Sequence, residues 1–128
     1  GSGMRYTRHG FVLPVADYAG AVAFYRDVLD LPVLFRIDRP DSRLTGFDLA
    51  GAYLLVEPGG VAKTPDTFPD DAQVRLRFNV ADLDAAIAEL RGKGVSVARL
   101  DHSWGSVGLF RDPDGNLCQL RGEAGFGE

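Results

Sequence analysis

The sequence is poor in the residues that usually carry redox and metal chemistry: one cysteine and two histidines in 128 residues. A lone Cys118 cannot close an intramolecular disulfide, and between Leu117 and Leu120 it reads as a small strand residue rather than a redox centre. No apolar run approaches the roughly 20 residues that a membrane-spanning helix needs. The opening Gly1-Ser2-Gly3-Met4 is neither basic nor apolar enough for a leader and reads as an expression scar over residues 1–3, so a soluble cytoplasmic protein is expected. Basic charge is in deficit, with 14 Lys and Arg against 18 Asp and Glu and a net charge of -4. Apart from a small cluster at Asp66, Asp70 and Asp71 the carboxylates are scattered, and nothing resembles a nucleic-acid footprint.

What is present is a duplication. Val15-Ala16-Asp17-Tyr18-Ala19-Gly20-Ala21-Val22-Ala23-Phe24-Tyr25-Arg26 is repeated, at a constant offset of 65, by Val80-Ala81-Asp82-Leu83-Asp84-Ala85-Ala86-Ile87-Ala88-Glu89-Leu90-Arg91, with a change of type only at Ala19/Asp84 and Phe24/Glu89. Two copies of one supersecondary unit, each too small to bury its own apolar face, imply a single domain of two modules. The modules are placed at about residues 6–57 and 73–121 within a domain spanning 4–128, joined by a Pro, Gly and acid-rich linker at 58–72 that reads as an exposed segment able to act as a lid.

Each module opens with an apolar strand, Phe11 to Val15 and Val74 to Val80, that stops at an aspartate suited to capping a helix. The helical stripes are Tyr18, Val22, Tyr25 and Leu29 in the first module, and Leu83, Ala86, Ile87 and Leu90 before Gly94 in the second. Three strand-like segments follow each helix: Val33 to Asp38, Leu44 to Leu49 and Ala52 to Glu57, then Val95 to Leu100, Ser106 to Arg111 and Asn116 to Arg121. Asp112-Pro113-Asp114-Gly115 is a strong hairpin signal and sets the register of the last strand. Both modules therefore read as βαβββ.

A doubled βαβββ unit with Val-x-Asp before each helix, Phe24-Tyr25-Arg26-Asp27-x-Leu29, and Phe110-Arg111-Asp112-Pro113-Asp114-Gly115-Asn116-Leu117 resembles the vicinal oxygen chelate superfamily, from about Tyr6 to Arg121. This is the glyoxalase, bleomycin-resistance and extradiol dioxygenase fold. The resemblance implies an α+β domain whose two modules form curved mixed sheets around a cup-shaped cavity. It also implies a homodimer, and either metal chemistry in the cavity or simple retention of a drug there.

Metal-dependent members resembling this chain place a histidine seven residues before each capping aspartate and a glutamate four after the terminal-turn glycine. Here those positions hold Gly10, Arg75 and Gln119, none a good ligand for a divalent cation, so neither a metal nor another cofactor is expected. His9 lies one residue away, and in a strand a one-residue slip turns the side chain to the other face unless a bulge intervenes. His102, in the Asp101-His102-Ser103-Trp104 loop, matches no ligand position and is either a loop histidine or a proton carrier. Glu57 stands as a lone carboxylate, a ligand or base in one reading and an ordinary ion-pair partner in the other.

Strand parity puts Leu76, Phe78 and Val80 towards the helix, which leaves Arg75, Arg77 and Asn79 facing the cavity with Gly10, Val12 and Pro14. The same alternation directs Leu117, Gln119 and Arg121 to the cavity and Cys118 and Leu120 to the helices. Arg75 and Gln119 are the expected ligand anchors, the alternative being an arginine paired with Asp48 or Glu57. Trp104, with Phe35, Phe47 and Tyr53, is expected to supply an aromatic surface for a planar ligand, the alternative being core filling. Together these features predict a metal-free protein that sequesters a small organic molecule, an antibiotic or related natural product. The competing readings are an enzyme of the same superfamily (a lyase, thiol transferase or dioxygenase, metal-dependent or cofactor-independent) and a degenerate scaffold without a ligand.

Overall fold

A computed structural model describes residues 3–62, 74–124 and 126 of the chain. The acidic cluster at Asp66, Asp70 and Asp71, and with it most of the expected linker and lid, lies outside the described residues. The chain divides into two compact units, residues 1–62 and 63–128, each built on one four-stranded mixed sheet.

The first unit runs β1 (Gly10–Val15), α1 (Tyr18–Ala23), a π-helical turn (Phe24–Val28), β2 (Val33–Arg39), β3 (Ser42–Asp48) and β4 (Tyr53–Pro58). Its sheet order is β1-β4-β3-β2, with β1 parallel to β4 and the other pairs antiparallel. Asp17 starts α1 as predicted, its carboxylate accepting the Gly20 N–H at 2.9 Å. The helix is shorter than the stripe ending at Leu29 predicts, because from Phe24 onwards the hydrogen bonds widen by one residue, as in Leu29 N–H to Phe24 O at 3.1 Å. The wider turn buries both Phe24 and Tyr25, neighbours that a regular helix would splay apart.

Under α1 lie Val15, Thr45, Phe47, Leu54 and Val56, all essentially inaccessible to solvent. Thr45 is tolerated there because its hydroxyl is 2.7 Å from the Tyr18 hydroxyl, so two buried polar groups satisfy each other. Phe47 packs on Tyr25 with ring centroids 6.1 Å apart. The cross-strand pairing places Val12, Pro14, Tyr53, Leu55, Glu57, Gly46 and Phe35 on the opposite, open face. Expected as part of the ligand surface, Phe47 is instead a helix-side core residue, since it pairs with Leu54 and shares that residue's face.

The second unit repeats the order: β5 (Leu76–Val80), α2 (Leu83–Gly92), β6 (Ala98–His102), β7 (Gly105–Arg111) and β8 (Leu117–Gly122), with sheet order β5-β8-β7-β6. Asp82 caps α2 by accepting the Ala85 N–H at 3.0 Å. The helix buries Ile87 and Leu90 against the sheet, and closely enough that a β-carbon on Gly108 would meet Ile87 and Val97 at about 3.0 Å. Cys118 and Leu120 are buried on this side, as alternation predicts.

Asp112 organises the turn before β8. One of its oxygens accepts the Asp114 and Asn116 N–H groups at 2.9 and 2.8 Å, and the other accepts the Asn116 side-chain amide at 2.9 Å. Gly115 closes the turn at φ 86°, a conformation that favours glycine. His102, expected in a loop, is the last residue of β6 and pairs with Gly105, leaving only Ser103 and Trp104 as the hairpin loop.

Candidate functional site

The open face of the second sheet carries Arg77 and Asn79 from β5, Gln119 and Arg121 from β8, Val107 and Leu109 from β7, and Leu100 and His102 from β6. Pairing in register sets Arg77 beside Gln119 and Asn79 beside Arg121. The Arg77 Nε donates to Gln119 Oε1, so the amide expected to work with Arg75 is held by the arginine two residues further on. Gln119 is buried, whereas Arg77 and Asn79 are exposed. Arg75 precedes β5 and is exposed; the ladder positions Arg77 and does not extend to it.

At the other end of the face the tight β6–β7 hairpin presents Trp104, which is 54% exposed. The His102 imidazole stacks on it with centroids 4.7 Å apart and 10° between the planes. The Arg121 guanidinium sits 5.1 Å from the Trp104 ring centroid and donates to the carbonyls of Trp104 and Ser106, each at 3.2 Å. Gly105 makes this approach feasible: its φ is 143°, and a β-carbon there would collide with the Arg121 guanidinium. Sequence reasoning placed Arg121 on the correct face but missed the stack, because nothing in local sequence brings residue 121 to residue 104.

On the open face of the first sheet, Phe35 covers Gly46 and Tyr53 covers Gly10, since a β-carbon on either glycine would run into the neighbouring ring. Val12 is 57% and Phe35 41% exposed. Glu57 pairs with Pro14 on the same face and is half-buried. At the start of β1 and β4 lies a hollow of about 460 Å³ whose lining includes Tyr6, Arg8, His9, Asp48 and Tyr53. His9 thus borders this hollow, and its carbonyl accepts the Tyr53 N–H at 3.2 Å.

The three positions at which the resemblance would put metal ligands do not fit a divalent cation. Gly10 has no donor and its face is closed by Tyr53; Gln119 turns its amide oxygen to a guanidinium; Arg75 brings a fixed positive charge. Among the described residues, no group of three or more His, Cys, Asp or Glu side chains is arranged to hold a metal ion.

Residues 7–120 match the family described as the glyoxalase/bleomycin resistance protein/dioxygenase superfamily. The chain belongs to this superfamily. Uncharacterized protein YraH of Bacillus subtilis (strain 168), a relative of this superfamily member, is 30% identical over 117 residues, covering 84% of this chain and 91% of its own. Among solved structures, the antibiotic binding protein TnmS3 from Streptomyces sp. CB03234 is 26% identical, with a TM-score of 0.69 over 94% of this chain and 98% of that one. Lactoylglutathione lyase from Agrobacterium tumefaciens shares the fold, with a TM-score of 0.71 at 22% identity over 96% of this chain and 98% of that one. The α+β architecture of paired βαβββ units expected from the sequence is the one observed. None of the described helices is long and apolar enough to cross a membrane.

Proposed function

We propose that this superfamily member is a small-molecule-binding protein that sequesters an antibiotic or related natural product. The observation that carries the reading is the open face of the second sheet, where an exposed, stacked Trp104 lies on the same surface as the Arg77–Gln119 pair. A flat ring beside a few fixed polar groups is the arrangement that orients a mainly apolar organic ligand. Likeness to an antibiotic binding protein supports the same reading. The first sheet, taken by itself, carries Val12, Phe35 and Tyr53 on its own open face. The family likeness supports a homodimer, which sedimentation equilibrium tests directly.

The test is a thermal-shift screen against planar and glycopeptide antibiotics, followed by titration of intrinsic fluorescence. Trp104 is the chain's single tryptophan, so quenching reports on this face alone. A ligand at a hundredfold excess over Kd is expected to add roughly 2.7 kcal/mol of stability. No stabilisation and no quenching by any compound would overturn the proposal.

A further inference from the structure

We infer that the ligand of this face is an acidic planar molecule: a fused aromatic system bearing a carboxylate or comparable anion. The inference rests on the binding reading above and narrows it. Arg77 and Arg121 occupy diagonal positions on the adjacent strands β5 and β8. Among the described residues each is partnered by neutral acceptors: the Gln119 amide for Arg77, and the Trp104 and Ser106 carbonyls for Arg121. No strand residue on the open face of this sheet is an Asp or Glu.

The acids of this unit's strands and helix lie elsewhere. Asp84 and Asp101 pair with Arg99, which lies opposite Gly108 and so on the helix side of the sheet. Arg77 and Arg121 thus place two fixed positive charges on a face whose described strand residues include no carboxylate. Neutral acceptors position a guanidinium while leaving its charge uncompensated, and an arriving anion gains charge-assisted hydrogen bonds there. Trp104 supplies the second half of the specificity, because its half-exposed indole already accepts one flat ring, that of His102, and a planar ligand can take that ring's place beside Arg121. A cationic ligand would meet both arginines without compensation.

The experiment uses the full chain and three probes of one shape: anthracene-2-carboxylate, its neutral carboxamide and its trimethylammonium analogue. Binding is measured by calorimetry and by the shift of the single indole N–H resonance. The carboxylate is expected to bind about tenfold more tightly than the carboxamide, with a preference that falls as salt is raised. The preference is expected to shrink in R77Q and in R121Q, each checked for folding by circular dichroism. A carboxamide or ammonium probe that binds as well as the carboxylate overturns the acidic-ligand inference and leaves the capture reading standing. Undiminished preference in both folded variants removes these arginines as its cause. Failure of all three probes to bind counts against the capture reading itself, and the inference falls with it.

Discussion

The guanidinium carbon of Arg121 lies 5.1 Å from the centre of the Trp104 ring, and the same group donates to the Trp104 carbonyl at 3.2 Å. Side chain and backbone of the hairpin loop are thus held by one residue of a strand 17 positions away in the chain. Removing the guanidinium by R121A is expected to cost about 1 kcal/mol, because the stack is partly exposed. Its clearer signature is a lower fluorescence anisotropy of Trp104 as the loop loosens. An unchanged anisotropy would mean that the hairpin holds Trp104 without help.

Gly105 is the backbone partner of that arrangement. Alanine there must adopt a φ of 143°, which side chains resist, and its β-carbon would strike the Arg121 guanidinium. G105A is therefore expected to cost about 1–3 kcal/mol in urea denaturation and to displace Arg121 from the ring. A variant as stable as the parent would show that the hairpin adopts another turn.

In the first unit, the Tyr18–Thr45 hydroxyl pair at 2.7 Å is buried beneath α1. T45V should cost about 1–3 kcal/mol, since it strands the tyrosine hydroxyl, whereas Y18F combined with T45V should recover most of the loss. A double-mutant cycle by chemical denaturation checks this. Additive losses would show that the two hydroxyls act independently.

Asp101 at the exposed edge of the second sheet tests local electrostatics. Its carboxyl is held below the ordinary carboxylate value chiefly by the hydrogen bond from the Ser106 hydroxyl, which outweighs the opposing effect of desolvation, with lesser help from Arg99 and His102. A depressed folded-state value means that any associated stabilisation is present above the unfolded value and lost as pH falls through the folded one. Carbon-detected NMR titration should show the midpoint rising in S106A. No change there would assign the depression to Arg99 and His102 instead.

Much of this was legible in the chain itself. The duplicated Val-x-Asp segments gave both helix starts, because a capping carboxylate acts on N–H groups only two or three residues away. The Asp112 to Gly115 turn was equally local. Alternation along β5 and β8 separated Cys118 and Leu120 from Gln119 and Arg121, since side chains in a strand must point to opposite faces.

The side taken by Phe47 was not legible in the chain, where ligand surface and core filling stood as alternatives. Phe47 shares its face with the polar Thr45, so β3 shows no clean apolar side until Tyr18 is seen to satisfy the threonine. In β2 the register shifts between Val33 and Phe35, and no single-strand pattern forecasts which partner a ring will cover.

Periodicity and capping are properties of neighbours in the chain, and the sequence alone settled the duplicated α+β architecture, the helix starts, the final hairpin and the inward or outward sense of most strand residues. Only the tertiary structure decided that Gln119 is held by Arg77 rather than Arg75, that Phe47 belongs to the core, and that Arg121, Trp104 and His102 form one stack. Those pairings depend on the register between strands and on a two-residue turn, which are fixed when separated segments pack together and leave no mark in the local order of residues.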